Sequence, residues 1–127
     1  YVYNQNLDTS LPLPLTPPAS ILTGLDLNLP FETIWLLNNN LYVEYRQVAT
    51  QNRVDRNERI TKGYGLLEVG LGSEFQLGKQ MFKLRISGQN LLNKYYFNHL
   101  SRYRLLNLPE QGRNININLK IPFQIKH

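Results

Sequence analysis

Apolar and polar residues alternate strictly along the last part of the chain. From residue 114 to residue 123 the odd positions are Ile115, Ile117, Leu119, Ile121 and Phe123, and the even positions up to 120 are asparagine or lysine. Successive side chains of a β-strand point to opposite faces, so this segment predicts a strand with one apolar and one polar face. Its length matches the ~10 residues that a tilted strand needs to cross a bilayer.

The same alternation occurs in four earlier segments. They span residues 21–31, 41–46, 66–77 and 82–89. In the first of them, Leu22 is the one apolar residue on the polar side. The opening residues 1–5 are typical of a further strand that is already under way. The pattern therefore predicts an all-β chain, an antiparallel up-and-down meander of about six strands.

The charged residues inside these segments all fall on the polar side of the alternation. They are Asp26, Glu44, Arg46, Glu68, Glu74, Lys83, Arg85 and Lys120. Lys94 and Arg113 would break this rule only if the strands extended into the long segment between them. We therefore expect the eight charged side chains to face the lumen of a transmembrane barrel and the apolar side chains to face lipid.

Five aromatic residues fall on the apolar side by the same parity, and all lie at one end of the predicted meander. They are Phe31, Trp35, Phe75, Phe82 and Phe123. A rim of rings on the outer face is typical of a transmembrane barrel, because amphipathic rings favour the membrane interface. In a soluble sheet the same rings would fill the bottom of a core. Five on one rim, with every strand charge on the opposite face, favour the membrane.

The predicted connections alternate between long and short. Residues 6–20, 52–62 and 93–112 form the long ones, whereas 32–36 and 78–80 are short. Outer-membrane barrels have short periplasmic turns and long external loops, so we expect the aromatic rim to be a periplasmic girdle.

The short turn at 78–80 permits two registers for the hairpin around it. One pairs Phe75 with Phe82 and the other pairs Phe75 with Leu84. Glu74 then faces Lys83 in the first register and Arg85 in the second. Either register sets an acid opposite a base on the lumen side.

The composition narrows the class of partner. The chain has 127 residues and a formal net charge of +5, but its basic residues alternate with acids or scatter through loops, so we expect no nucleic-acid partner. It contains no cysteine, which excludes a disulfide framework or a thiolate metal site within these residues. A mean hydropathy of −0.38 is compatible with a membrane barrel, because half of each strand is polar.

Six strands cannot close a barrel, so we expect an open, curved sheet.

Residues that could carry catalysis or hold a metal are scarce. His99 and His127 have no neighbouring ligand at metal spacing, and no nucleophile stands beside a base in the sequence. We therefore expect no cofactor and no enzymatic activity. His99, Arg102, Tyr103 and Arg104 are the candidates for contact with an anionic ligand, since guanidinium and hydroxyl groups suit carboxylates and phosphates. Packing within the loop is the alternative for each of them.

Several runs of residues resemble the C-terminal end of the TonB-dependent outer-membrane receptors. They are Leu-Leu-Asn-Lys-Tyr at 91–95, His-Leu-Ser-Arg-Tyr-Arg at 99–104, Pro-Glu-Gln-Gly-Arg-Asn at 109–114 and Ile-Pro-Phe at 121–123. Upstream, Leu-Thr-Pro-Pro at 15–18 and Gly-Tyr-Gly at 63–65 are similar to motifs of the same family. The chain departs from the family at Gln111, where proline is commoner, and in the four residues that follow Phe123.

The resemblance implies both a location and a function. Residues 1–127 would be the C-terminal part of a β-barrel in a Gram-negative outer membrane, without the earlier strands and the plug domain. The implied function is energised import of a scarce ligand such as a ferric siderophore, haem or a similar chelate. The implied partners are outer-membrane lipid, the missing strands and plug, TonB acting through the plug, and the barrel assembly machinery, for which Phe123 would be the signal. The alternative is a small autonomous antiparallel β domain of the bacterial envelope with a structural or binding role.

Overall fold

The chain forms one antiparallel sheet in the computed structural model, which describes residues 2–123. Its strands are β1 (Ser20–Asn28), β2 (Leu36–Val48), β3 (Tyr64–Leu77), β4 (Gln80–Gln89) and β5 (Asn114–Lys120). Each strand pairs with the one before it, in the order β1-β2-β3-β4-β5. This is the all-β, up-and-down meander that the alternation predicts. Within the described residues, no helix is long and apolar enough to cross a membrane.

The prediction of a further strand at the N-terminus is wrong for residues 2–5, and Tyr1 lies outside the described residues. These residues are held by side chains rather than by a strand ladder. The Arg53 guanidinium lies 3.9 Å from the centroid of the Tyr3 ring, and the Thr16 hydroxyl donates a hydrogen bond to Asn4 Oδ1 at 2.7 Å. Alternation over so few residues does not form a strand unless a neighbouring strand supplies the ladder hydrogen bonds.

Cross-strand pairing joins the apolar positions of all five strands into one face. One row of directly paired residues runs across the whole sheet through Leu27, Leu41, Leu71, Ile86 and Ile117. At the loop end the Leu91 side chain lies over Gly88 on this face, but most of its apolar residues are exposed, and Ile117 is 71% exposed. Val48 is the one buried apolar residue among those described. The sheet is thus a single layer, and its hydrophobic surface is not gathered into a core.

The opposite face carries all eight charged residues that the alternation assigned to it. Cross-strand pairs near the β3–β4 turn illustrate this. Glu74 pairs with Lys83, and Lys83 pairs with Lys120, so the three charged residues share one face. β4 ends at Gln89 and β5 begins at Asn114, so Lys94 and Arg113 lie outside the strands and do not break the rule.

The hairpin between β3 and β4 has the first of the two predicted registers. Phe75 pairs with Phe82, and their rings stack with centroids 5.2 Å apart. Glu74 pairs with Lys83 and forms an ion pair with it. The two-residue turn begins at Gly78, whose φ of +61° is the conformation that glycine adopts without strain in such hairpins.

The connections lie at two opposite ends of the sheet. Segments 2–19, 49–63 and 90–113 meet at one end, which we call the loop end. Turns 29–35 and 78–79 lie at the other, the turn end, where Gln80 Nε2 also donates to the carbonyl oxygen of Pro122 at 2.6 Å. The five predicted girdle aromatics are all at the turn end. Phe31 and Trp35 lie in the first turn, and Phe123 follows β5.

A β-bulge in β2 interrupts the parity from which the face of Trp35 was predicted. Leu37 pairs with Glu74, but the next paired residue is Asn40, so Asn38 and Asn39 form the irregularity. Leu36 therefore pairs with Phe75, and Trp35 precedes the strand. The parity of β2 therefore does not extend to Trp35, because the bulge adds a residue to one strand and reverses the alternation before it, and its place on the apolar face stays a prediction.

Candidate functional site

The polar face and the loop end form two connected regions. Between them lies an open cavity of about 320 Å³, bounded by the sheet on one side and by segment 90–113 on the other. Glu44, Arg46 and Glu68 line it from the strands, and Tyr96 and Glu110 line it from the segment above. The backbone N–H of Glu110 donates to the carbonyl oxygen of Tyr96 at 2.9 Å, which ties the two sides of that segment together.

Tyr42 contacts two charged side chains in the middle of the polar face. Tyr42 Oη donates to Glu68 Oε1 at 2.8 Å, and the Arg85 guanidinium carbon lies 4.7 Å from the centroid of the Tyr42 ring. A Cβ atom at Gly70 would lie 2.0 Å from Tyr42 Cε1, so the ring lies directly across this glycine. The absence of a side chain at Gly70 is therefore what lets Tyr42 lie flat on the sheet.

Two asparagines join the start of segment 90–113 to its end, and we call this part of the segment its base. Asn90 is 6% exposed, and its Nδ2 donates to the carbonyl oxygens of Lys94 and Gln111 at 2.9 and 3.2 Å. Asn93 Oδ1 accepts a hydrogen bond from the backbone N–H of Arg113 at 3.1 Å. Both asparagines have a positive φ, near +48°, a conformation that asparagine tolerates better than most residues. The start of the segment is thereby fastened to its end.

A 3-10 helix, Arg102–Leu106, orients the basic residues of this segment. Ser101 caps it by accepting a hydrogen bond from the Tyr103 backbone N–H at 3.3 Å, and Asn107 ends it with φ of +56°. Arg104 points toward segment 49–63, and its side chain is 10% exposed. Arg102 and Tyr103 are exposed. One short helix therefore directs neighbouring side chains into opposite environments.

Four polar side chains meet at the loop end in what we call the His99 cluster: Glu58, Thr61, His99 and Arg104. His99 Nδ1 lies 2.8 Å from Thr61 Oγ1, and His99 Nε2 lies 3.1 Å from Glu58 Oε1. Arg104 Nη1 donates to Thr61 Oγ1 at 2.9 Å and to the carbonyl oxygen of Arg59 at 2.7 Å, while Arg104 Nη2 lies 3.3 Å from Glu58 Oε1.

The His99 cluster is the most closed part of the described chain. His99 is 1% exposed, and the Glu58 side chain is 8% exposed. Burial, and then the Arg104 guanidinium, hold the pKa of His99 below its ordinary value, and the Glu58 carboxylate offsets only part of this. His99 is therefore neutral at neutral pH.

The N-terminal segment is also fastened to the cluster. The backbone N–H of Leu15 donates to Glu58 Oε1 at 3.1 Å. Gln51 pairs with Thr61 through backbone hydrogen bonds and donates from Nε2 to the carbonyl oxygen of Thr16 at 2.7 Å. Segments 2–19, 49–63 and 90–113 are thus joined at one buried polar site. In a soluble domain, a hydrophobic core would hold such loops together instead.

The structure divides the four predicted ligand contacts into two pairs. His99 and Arg104 come together, but they are closed in by Glu58 and Thr61, so the prediction that His99 faces a ligand is wrong. Its imidazole completes contacts within the protein because segment 49–63 folds over it. Arg102 and Tyr103 keep exposed side chains, and Tyr103 is 58% exposed.

Sequence reasoning missed a cleft of about 510 Å³ beside the cluster. Its lining includes Arg59, Lys62, Tyr95 and Phe97, which bring two basic and two aromatic side chains together from segments 49–63 and 90–113. No spacing in the sequence connects these residues, because the two segments are distant along the chain. Within residues 2–123, no group of three or more His, Cys, Asp or Glu side chains is placed to hold a metal ion.

A comparison of the chain with models of known protein families finds no match. A comparison with curated proteins likewise finds no match. Support for a function therefore comes from the geometry and from the resemblance of the C-terminal runs of residues.

Proposed function

We propose that this chain forms five consecutive strands at the C-terminal end of a TonB-dependent receptor in a Gram-negative outer membrane. The observation that supports it best is the exposed apolar face, which extends through paired residues across every strand. A contiguous apolar surface of this kind is unstable in water and stable against lipid acyl chains. The remaining strands and a plug domain would complete the barrel and cover the polar face.

The distribution of chemistry between the two ends supports the same orientation. The turn end has short turns and the aromatic rim, which fit the periplasmic interface. The loop end has the long segments, which fit the external side. The eight charged residues of the strands then line the lumen, and outer-membrane lipid contacts the apolar face.

The proposed activity is energised import of a scarce anionic chelate, such as a ferric siderophore or haem, with TonB acting through the plug. Arg102 and Tyr103 are exposed at the loop end, and the cleft lined by Arg59 and Lys62 adds two basic side chains there. Guanidinium groups bind carboxylates and phosphates with directed hydrogen bonds. The residues present at the loop end thus suit an anionic ligand.

The membrane location can be tested with a nitroxide spin label on neighbouring residues of β5. Ile117 lies on the apolar face and Asn116 on the polar face, and both are exposed. In purified protein in lipid bilayers, we expect a label at Ile117→Cys to be accessible to oxygen and not to a water-soluble nickel relaxant. The label at Asn116→Cys should show the reverse. Equal access of the nickel relaxant to both labels would contradict the membrane location and favour an autonomous β domain.

The import role needs a separate test in cells. In a Gram-negative host without its own chelate receptors, expression of the protein should permit uptake of radiolabelled iron from a panel of siderophores and haem. Uptake should cease when TonB is deleted. Arg102→Ala should weaken ligand binding, whereas Lys79→Ala, at the turn end, should leave it unchanged. Binding without TonB-dependent uptake, or uptake of none of the chelates, would contradict this role.

A further inference from the structure

The His99 cluster joins three segments that are far apart in sequence. Thr61 and His99 are separated by 38 positions, and Glu58 and Arg104 by 46. Among the charged groups facing the imidazole, Glu58 comes from segment 49–63 and Arg104 from segment 90–113. Segment 2–19 adds the Leu15 backbone N–H, which donates to Glu58.

The hydrogen-bond geometry selects one neutral form of His99. Nδ1 lies 2.8 Å from the Thr61 hydroxyl and accepts its proton, so Nε2, 3.1 Å from Glu58 Oε1, carries the proton in the neutral ring. Thr61 Oγ1 in turn accepts from Arg104 Nη1. The donor and the acceptor are therefore matched at Nδ1 only while Nδ1 lacks a proton.

Protonation of Nδ1 disturbs this arrangement in two ways. The Thr61 hydroxyl would face two donors, His99 Nδ1 and Arg104 Nη1, and its own proton would lose its acceptor. A second positive charge would also arise beside the Arg104 guanidinium in a site closed to water. The Glu58 carboxylate attracts that charge, but Nε2 is not aligned with it for a hydrogen bond, so the compensation is incomplete.

We propose that the His99 cluster is an acid-sensitive latch that holds segment 90–113 against segments 2–19 and 49–63. When His99 is neutral, the latch is closed and Tyr96 and Glu110 lie over the cavity on the polar face. When His99 is protonated, the cluster separates and the middle of the segment moves away. The base of the segment stays fixed, because Asn90 and Asn93 hold it through contacts without a titratable side chain.

The sign of the pH effect follows from the direction of the pKa shift. The pKa of His99 in the closed latch is lower than the ordinary value of 6.5, which it regains when the latch opens. The stabilisation by neutral His99 is therefore complete above pH 6.5 and decreases as the pH falls toward the lowered pKa. In this window the open state binds one more proton than the closed state, so the opening constant rises about tenfold per pH unit.

Hydrogen exchange followed by mass spectrometry measures this opening without any variant. The protein in lipid nanodiscs would be compared at pH 7.5, 6.5, 5.5 and 5.0, with rates corrected for the intrinsic pH dependence of exchange. Peptides that cover residues 96–108 should exchange faster at acidic pH, by about tenfold per unit within the window. Peptides from β3 and β4 serve as internal controls and should not change. Equal protection of residues 96–108 at all four pH values would overturn the latch.

His127, the other histidine of the chain, lies outside the described residues and supplies the control variant. His99→Asn keeps an oxygen that can accept from Thr61 but does not titrate, so it should remove the pH dependence of residues 96–108. His127→Asn should leave that dependence intact. Loss of the dependence in His127→Asn, or its persistence in His99→Asn, would assign it to another group and reject the proposal. The outcome is independent of ligand uptake, so failure of the latch and failure of the import role are distinguishable.

Discussion

The ring of Tyr42 occupies the space that a side chain at residue 70 would need. Gly70→Ala should therefore displace the ring, break its hydrogen bond to Glu68 and separate it from Arg85. We expect a loss of about 1–3 kcal/mol in the free energy of unfolding, the usual cost of forcing extra volume into a packed site. Denaturant unfolding of the protein in lipid bilayers measures it.

A second substitution tests whether Tyr42 is the cause of that loss. In a Tyr42→Ser background the ring is gone, so Gly70→Ala should cost clearly less than it does in the original chain. Gly24→Ala is a control on the same face, because the nearest atom to a Cβ there belongs to the flexible Glu44 side chain, at 3.3 Å, and the Val43 carbonyl oxygen is at an ordinary contact distance of 3.7 Å. A loss at Gly70 that is equal in both backgrounds would point to the strand itself rather than to the ring.

Single residues at the loop end show which contacts the sequence alone does not predict. The sequence singled out His99 and Arg104 because their chemistry suits an anion. It could not pair them with Glu58 and Thr61, since no periodicity relates positions about 40 apart in irregular segments. The same side chains that suit a ligand also satisfy a carboxylate of the protein, and only the fold decides between the two.

At the scale of secondary-structure elements, the sequence leaves two registers open for the β3–β4 hairpin. The structure sets Glu74 opposite Lys83 and also gives Glu74 a hydrogen bond from Asn38 Nδ2 at 2.6 Å. A double-mutant cycle of Glu74→Gln and Lys83→Gln should give a coupling energy of up to about 1 kcal/mol in favour of the pair. The Lys83 side chain is 51% exposed, which keeps the value small.

The alternative register supplies the control for this cycle. It would set Glu74 opposite Arg85, which here pairs with Gly72 instead. A cycle of Glu74→Gln and Arg85→Gln should therefore give a coupling near zero. A larger coupling for Arg85 than for Lys83 would indicate that the hairpin adopts the other register.

The bulge in β2 is the element that the alternation did not predict. Asn39 is 5% exposed, donates from Nδ2 to the Phe31 carbonyl oxygen at 2.6 Å, and accepts from the Ser73 hydroxyl at 2.6 Å. It thereby fastens the turn 29–35 to β3. The run of three asparagines at 38–40 was the available signal, since asparagine adopts the positive φ seen at Asn38 more readily than most residues.

At the scale of the whole molecule, the proposed lipid contact can be tested by the energetics of one strand. Ile117→Lys would place a charge in the apolar row, and at the depth of the bilayer centre this costs about 2–4 kcal/mol. Asn116→Lys, one residue earlier and on the other face, should cost much less. If the sheet stood in water, Ile117→Lys on a residue 71% exposed should cost less than about 0.5 kcal/mol. Unfolding of both variants in bilayers separates the two cases.

Assembly of the barrel gives the last prediction. Phe123 and Phe75 both lie at the turn end, and Phe123 is the proposed signal for the assembly machinery. Loss of either ring costs packing energy, up to a few kcal/mol. If Phe123 is also recognised during assembly, Phe123→Ala should lower the amount of folded protein in the outer membrane far more than Phe75→Ala. Equal amounts of the two variants would make Phe123 an ordinary residue of the rim.

The sequence by itself determined the two faces of the sheet, the meander and the ends at which aromatic rings and long segments lie. These features are local, because a strand repeats every two residues and a short connection joins neighbouring strands. Tertiary structure decided the hairpin register, the bulge before Asn40 and the burial of His99 with Glu58. Each of these depends on contacts between distant segments. The spacing of residues along the chain does not predict the energies of such contacts.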